Sequence, residues 1–234
     1  MTASVAMATY NGAAYLEEQL DSVLSQLSEE DELVVSDDGS TDGTRDILAR
    51  YAARDARVCL IDGPQKGAIA NFEHAIAHTR GDVIFLCDQD DVWCAGKYRA
   101  VMTAFDDPEA VLVMHDAAVT DADGAVLEPS FFALRGTKVG FWKNLWKNSY
   151  IGCCMAFSSA LKPIVLPFPD TIPMHDQWIG MKAERCGKVT LIEEPLLRYR
   201  RHESNVTASS RGSLGTMLRQ RWGILRALRQ KRKG

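Results

Sequence analysis

The sequence predicts an α/β fold built on a doubly wound, mostly parallel sheet. Three observations carry that prediction. Short apolar runs alternate with helical patterns through the first 115 residues, the clustered polar residues of that half each follow such a run, and 234 residues with 46% hydrophobic and 25% charged composition suffice for one sizeable core. Alternating strands and helices imply crossovers and hence parallel pairing. Ligands in such sheets sit beyond the carboxyl ends of the strands, near the point where strand order reverses.

Each element follows from its residues. Ser4 to Ala8 reads as the first strand, with a helix from about Ala13 to Gln26. Glu32 to Ser36 is the second strand, and the helix after it, Thr41 to Ala53, can be capped by Ser40 or Asp42. Val58 to Ile61 with Ala68 to His78, Val83 to Cys87 with Ala95 to Phe105, and Val111 to His115 continue the alternation. Beyond residue 115 the rhythm stops. Val119 to Val126 reads as a hairpin turning near Asp123-Gly124, followed by a Lys/Trp/Asn-rich connection (Phe141 to Asn148). Then come a small-residue strand from Ile151 to Phe157, a helix opening near His175, a strand from Lys188 to Glu193 and a polar end from Arg198 to Asn205.

Charge is unevenly spread. Residues 211–234 carry eight Arg or Lys and no acid, which leaves 19 basic against 31 acidic residues in the remainder. In the tail, Leu214, Met217, Leu218, Trp222, Leu225 and Leu228 recur three or four apart between basic residues, a pattern that fits either an amphipathic helix on an anionic membrane surface or a helix docked on the body. The acidic body gives nucleic-acid binding little support. Neither a secretory leader nor a membrane-spanning segment is expected. Cys59, Cys87, Cys94, Cys153, Cys154 and Cys186 form no CxxC pair and several lie in apolar runs, so reduced, cytosolic cysteines are expected.

Three polar clusters fall at strand ends. Asp88-Gln89-Asp90-Asp91 delivers carboxylates from a buried strand into a turn; such oxygens suit a hard divalent cation (Mg²⁺ or Mn²⁺) shared with phosphates, or a plain acidic helix cap. Asp37-Asp38-Gly39-Ser40 either caps its helix or lets Asp37 accept the N3 proton of a uracil or thymine ring. Thr9-Tyr10-Asn11-Gly12 stands where a dinucleotide fold needs G-x-G-x-x-G, which disfavours a nicotinamide or flavin oxidoreductase. Tyr10 at this turn packs on a nucleobase or fills a half-buried corner.

These motifs, with Lys66-Gly67 and Asn71 between them, and with His175-Asp176-Gln177-Trp178 and Tyr199-Arg200-Arg201-His202-Glu203-Ser204-Asn205 later, resemble the family 2 glycosyltransferases of GT-A fold, in their rhamnosyltransferase-like branch. The resemblance covers residues 3 to 206. It implies a GT-A domain over 1–210, with a nucleotide-binding half (about 1–115), an acceptor half (about 116–210) and the basic helix 211–234 appended. It implies that Thr9, Tyr10, Asn11, Asp37, Asp38, Lys66, Asn71, Asp88, Gln89 and Asp90 bind a nucleotide-diphosphate sugar, that Asp90 and His202 hold the cation, and that His175 and Trp178 meet the acceptor. Asp176 is the implied catalytic base. Its place at a helix N-terminus is expected to favour its ionised form and make it a weak base. The Cys-Asp-Gln-Asp-Asp-Val-Trp and Tyr-Arg-x-His-x-x-Asn forms point to dTDP-rhamnose as donor and a glycan or lipid-linked acceptor, with inversion at the anomeric carbon. The implied location is cytoplasmic, with the tail on the inner face of the plasma membrane. Trp142 and Trp146 offer flat faces for a sugar or for packing.

Two rival readings compete. Asp88-Gln89-Asp90 also resembles the nucleophile motif of haloacid-dehalogenase phosphatases, and a glycan- or nucleotide-sugar-binding module could keep the fold without turnover. A sugar nucleotidyltransferase would need an N-terminal Gly-rich loop that is missing.

Overall fold

The computed structural model describes residues 1–202 and the helix 214–229, with side chains in that helix from 221 to 228. Glu203, Ser204 and Asn205 of the late polar segment, and the tail's Arg211, Lys231, Arg232 and Lys233, lie outside the described residues.

Four strands form the parallel half of one sheet: β1 (Ala3–Thr9), β2 (Glu32–Asp37), β3 (Val58–Asp62) and β4 (Val83–Asp88), in the order β3-β2-β1-β4. β1, β2 and β4 are buried almost throughout, as strands with both faces covered are. The crossovers are α1 (Leu16–Leu24), α2 (Thr44–Arg54) and α3 (Ala68–His78). α1 buries Leu16, Leu20, Val23 and Leu24, one helical face. Register aligns Thr9 with Asp37, Asp37 with Asp62, and Ala8 with Asp88, so the polar clusters end on one rim. The chain moves outward from β1 through β2 to β3 and returns to β4 on the other side of β1, which makes the β1/β4 rim the reversal point.

The second half extends the sheet. After β5 (Val92–Trp93) and α4 (Lys97–Ala104), the long β6 (Ala110–Thr120) turns at Gly124 into β7 (Val126–Glu128), as the hairpin pattern predicts. α5 (Phe131–Arg135) and α6 (Phe141–Trp146) lead to β8 (Met155–Ser158), which lies antiparallel between β4 and β6. α7 (Lys162–Val165) and α8 (His175–Ala183) precede β9 (Lys188–Arg200), parallel to β6; α9 (Leu214–Arg229) ends the described chain. No described helix is long and apolar enough to cross a membrane.

Three expectations need revision. The strand expected over Ile151–Phe157 begins instead as a 3₁₀ turn at Gly152–Cys154, closed by the Cys154 N–H on the Ile151 carbonyl. The strand expected to stop at Glu193 runs on to Arg200. Pro195, which cannot donate to the ladder, sits opposite Asp116 at a break in register, where its missing N–H is tolerated. The connection Phe141–Asn148 contains the helix α6.

Candidate active site

The first rim cluster is built by side chains that hold backbone. Gln89 accepts the Tyr10 N–H (2.8 Å) and donates to the Tyr10 carbonyl (3.0 Å), and a Cβ at Gly12 would collide with its amide. Tyr10 itself stays 58% exposed over this clamp. Asn11, at φ +49°, accepts the Thr41 N–H (2.8 Å) and so ties the first loop to the second. Asp37 is buried; it accepts from Thr9 Oγ1 (3.1 Å), from the Ser40 N–H (3.0 Å) and hydroxyl (2.5 Å), and from Arg45 (3.3 Å). With both oxygens so engaged, a ring N–H could reach this carboxylate only if Ser40 or Arg45 let go.

Asp38 holds the third loop, accepting the N–H groups of Gln65 (2.6 Å) and Gly67 (2.7 Å) on its two oxygens. Lys66 stands exposed between them. Asn71 is buried and donates to the carbonyls of Thr9 (3.2 Å) and Ser36 (2.8 Å), clamping β1 to β2 at their ends. Of the residues expected along this rim, Tyr10, Asn11 and Lys66 are exposed; Gln89, Asn11, Asp38 and Asn71 hold loop backbone, and Asn71 Oδ1 is buried without a partner.

The floor is acidic. Asp88 ends β4, and its carboxyl is pushed well above the usual range by burial first and then by Asp91, Asp90 and Asp176. Asp91 is fully buried and raised to about 7, again by burial and by Asp90; it accepts the Arg200 N–H (3.0 Å). Asp90 pairs with His202 Nε2 at 2.8 Å, and the His202 ring stacks on Tyr15 at 4.8 Å. β9 thus brings the late segment onto the acidic turn and unites the two residues expected to hold a cation. Ligand atoms of Asp88, Asp91 and Cys153 lie within 4.8 Å of one another. The carboxylates fit a hard divalent cation, which would relieve their mutual repulsion. Cys153 fits less well, because burial raises its thiol and keeps it protonated. Beneath the floor, the buried Lys97 donates to the Cys153 carbonyl (2.8 Å) and lies 4.2 Å from the Trp93 ring centre.

Asp176 and His175 open α8 beside this floor. Asp176 is buried, and desolvation raises its carboxyl to about 6 despite the N–H groups of Gln177 and Gly152 directed at it. This reverses the expectation of a weak base. A helix terminus contributes about 0.3–1 kcal/mol, under one pKa unit, whereas full burial shifts a carboxyl by up to about 3–5 units. His175 is also buried. Its ring stacks on Phe72 (4.1 Å), neither nitrogen has a partner, and desolvation lowers it to about 4, so it is neutral. Trp178, expected to meet an acceptor, is only 3% exposed and donates its indole N–H to the Val165 carbonyl (2.9 Å); it packs the core in this structure.

Lys97, Cys153 and the Gly152–Cys154 turn are not candidate site residues by sequence, and Asp91 enters there only as part of the acidic run, without a role of its own. Asp91 carried a signal, since it directly precedes the apolar pair Val92-Trp93 that forms β5. The turn carried none, because what ties it to the site, its contacts with Asp88, Asp91, Lys97 and His175, is long-range.

Fold and site together define an α/β protein of GT-A type, with carboxylates gathered at the strand ends where the sheet reverses. Residues 4–162 match Glycosyl transferase family 2, and the chain belongs to that family. Membership displaces the phosphatase reading of Asp88-Gln89-Asp90. Among curated relatives, an uncharacterized glycosyltransferase of Nostoc sp. is 31% identical over 88% of this chain and 66% of its own. TuaG of Bacillus subtilis, provisionally named a teichuronic acid biosynthesis glycosyltransferase, is 28% identical over 64% of this chain and 59% of its own. The chain spans 61% to 66% of the length of the first relatives it matches. Among solved structures, S. aureus TarS in complex with UDP-GlcNAc shares the fold with a TM-score of 0.75 at 19% identity, over 97% of this chain and 65% of that one. The mannosyltransferase PcManGT of Pyrobaculum calidifontis, in complex with GDP-Man and Mn²⁺, gives 0.61 at 22% identity, over 83% and 54%.

Proposed function

We propose that this chain is an inverting, metal-dependent glycosyltransferase that moves one sugar from a nucleotide diphosphate to a glycan or lipid-linked acceptor in cell-surface polysaccharide synthesis. The observation that carries the reading is the convergence of Asp88, Asp90 and Asp91 with His202 and Asp176 at the reversal point of the sheet. Asp176, with a carboxyl poised near 6, takes the acceptor hydroxyl proton. The acceptor oxygen then bonds to the anomeric carbon as the bond to the diphosphate oxygen breaks on the opposite face, and that direct displacement inverts the centre. Asp90 and His202 would hold a divalent cation with help from Asp88 and Asp91; such a cation supplies charge neutralisation to a departing diphosphate. Tyr10 covers the base and Lys66 meets donor phosphate, while neutral His175 lines the acceptor side as an apolar ring.

The first-choice donor is dTDP-rhamnose, on the resemblance of the Asp88 and His202 segments. The TarS complex with UDP-GlcNAc favours a UDP-sugar as the competing choice. The chain works in the cytoplasm, at the inner face of the membrane. A thermal-shift and calorimetry screen of dTDP, UDP, GDP and CDP, each with and without Mn²⁺ or Mg²⁺, tests the assignment, because a ligand that binds the folded state raises its melting temperature. Metal-enhanced stabilisation by dTDP or UDP is expected. No response to any of the four would overturn the transferase reading in favour of a module that has lost donor binding.

A further inference from the structure

The site uses neither α6 nor the outer face of α9, yet apolar exposure concentrates there. Leu134, Val139, Trp142, Trp146 and Trp222 are 44% to 74% exposed and make up five of the ten exposed large apolar side chains among the described residues. Trp142 and Trp146 stand four apart on α6 and therefore share a face. Arg221 of α9 stacks on the Trp146 ring (4.5 Å) and donates to the Trp146 carbonyl, which sets α9 against this helix; Trp222, the next residue of α9, is exposed. Isolated exposed apolar residues are ordinary; a contiguous group built from two distant segments is not.

The chain segment that carries the group has charge of one sign, and the acid packed against it, Glu184, is bonded to the Gly140 N–H and the Tyr150 hydroxyl. Residues 129–169 contain Arg135, Lys138, Lys143, Lys147 and Lys162 and no acid. Lys143 is held below its ordinary value, first by desolvation and then by the charges of Lys138 and Lys147. Lys143 and Lys147 donate to the carbonyls of Gly136 (2.5 Å) and Arg135 (3.2 Å), so the cations are held in place at the base of the aromatic face.

We propose that α6 and the adjoining face of α9 form a docking surface for an anionic lipid bilayer. Trp142, Trp146 and Trp222 enter the headgroup boundary, and Lys138, Lys143, Lys147 and Arg221 meet lipid phosphates. Tryptophan suits that depth because its ring is apolar and its N–H polar, and each cation near an anionic surface adds attraction. A second copy of the chain is a poor occupant, since a self-complementary contact would oppose like charges. The surface is rigidly joined to the site. Gln177, next to Asp176, donates to the Asn144 carbonyl of α6 (2.8 Å), and Glu184 at the end of α8 accepts the Gly140 N–H (2.8 Å). Docking would therefore hold α8 at a fixed distance from the membrane, which presents Asp176 to a lipid-linked acceptor; this consequence rests on the proposed transferase reading, whereas docking itself does not.

The test is co-sedimentation of the full chain with vesicles of phosphatidylglycerol and phosphatidylcholine, and with phosphatidylcholine alone, while tryptophan emission is followed. Binding to the anionic vesicles with a blue-shifted emission is expected. Both Trp142→Ala/Trp146→Ala and Lys143→Glu/Lys147→Glu should weaken binding by roughly tenfold or more. Trp142, 74% exposed and outside the Arg221 contact, gives a single variant, Trp142→Ala, that should leave the melting temperature unchanged and still weaken binding, so it decides the matter even if the other variants disturb α6 or its contact with α9. Wild-type protein left in the supernatant, variants that bind as wild type does, or selective retention on a soluble polyanion such as dextran sulfate would each overturn the proposal. Nucleotide-diphosphate thermal shifts on the same proteins report on the transferase reading separately.

Discussion

At the scale of single residues, Asp176 makes the sharpest prediction. Its carboxyl is raised from 3.8 to about 6 by burial. The folded chain therefore binds this proton more tightly than the unfolded chain, and the associated stability, present in full below 3.8, is lost as pH rises through about 6. The loss is of the order of 3 kcal/mol. Asp176→Asn removes that loss while keeping an oxygen for the Gln177 and Gly152 N–H groups, so above pH 6 the variant should melt higher than wild type, and transfer should fall by orders of magnitude with donor binding retained. A variant that loses donor binding and transfer together would remove Asp176 from the role of base. In the wild type, kcat should decline as pH drops through about 6, because only the ionised carboxylate accepts the acceptor proton; a flat profile there would place the base elsewhere. Asp90→Ala makes a separate prediction. It takes one oxygen donor and the partner of His202 from the floor, and should abolish the Mn²⁺-dependent part of the dTDP or UDP thermal shift while sparing the metal-free part.

At the scale of elements, α8 is the clearest case of tight packing at the proposed site. Eight of its nine residues are buried, and Gly180 is what lets it lie against Tyr150: a Cβ there would stand 2.5 Å from ring carbons. Tyr150 in turn bonds Glu184, which fixes α6. Gly180→Ala should cost about 1–3 kcal/mol through overpacking, read as a lower urea midpoint with an unchanged slope; a midpoint equal to wild type would mean the ring yields freely. α8 also shows where sequence reading stops. β1 to β4 and α1 to α3 were legible because apolar runs and helical periodicity are local signals, and their junctions placed Thr9, Asp37 and Asp88 correctly on one rim. The start of α8 at His175 was legible as a motif, but the titration of Asp176 was not, since burial by α3, α6 and the Gly152–Cys154 turn is a long-range property. For the same reason the sequence does not show that Asp38, the Asn71 amide nitrogen and Gln89 hold backbone, or that Asn71 Oδ1 is left buried without a partner. The sequence hides the second half of β9 because Glu193-Glu194-Pro195 interrupts its pattern, and pairing with β6 and β5 carries the strand through to Arg200, two residues short of His202.

At the scale of the whole molecule, the acidic body and basic tail are less separate than the composition suggests. Within α9, Ile224 and Ala227 are buried, Gly223 accepts the Thr171 hydroxyl at 3.3 Å, and the Leu228 carbonyl accepts from Arg185 at 3.5 Å. A Cβ at Gly223 would stand 2.8 Å from the Thr171 carbonyl, so the helix backbone itself presses on the body. The two readings of the tail pattern, docked helix and membrane helix, are therefore compatible: the face bearing Ile224 and Ala227 packs, and Trp222 points outward. It follows that α9 belongs to the folding unit, and that removing residues 212–234 would uncover part of the core instead of cleanly detaching an anchor. Ile224→Ala tests this while keeping Trp222 and Arg221. Truncation of a fully buried isoleucine costs about 2–5 kcal/mol, and the lower end applies where a peripheral helix can settle into the gap. For a chain of this size that corresponds to a melting temperature lower by about 4–8 °C. Equal melting of Ile224→Ala and wild type would show that α9 contributes nothing to the fold, and α9 would then be free to act as an independent anchor.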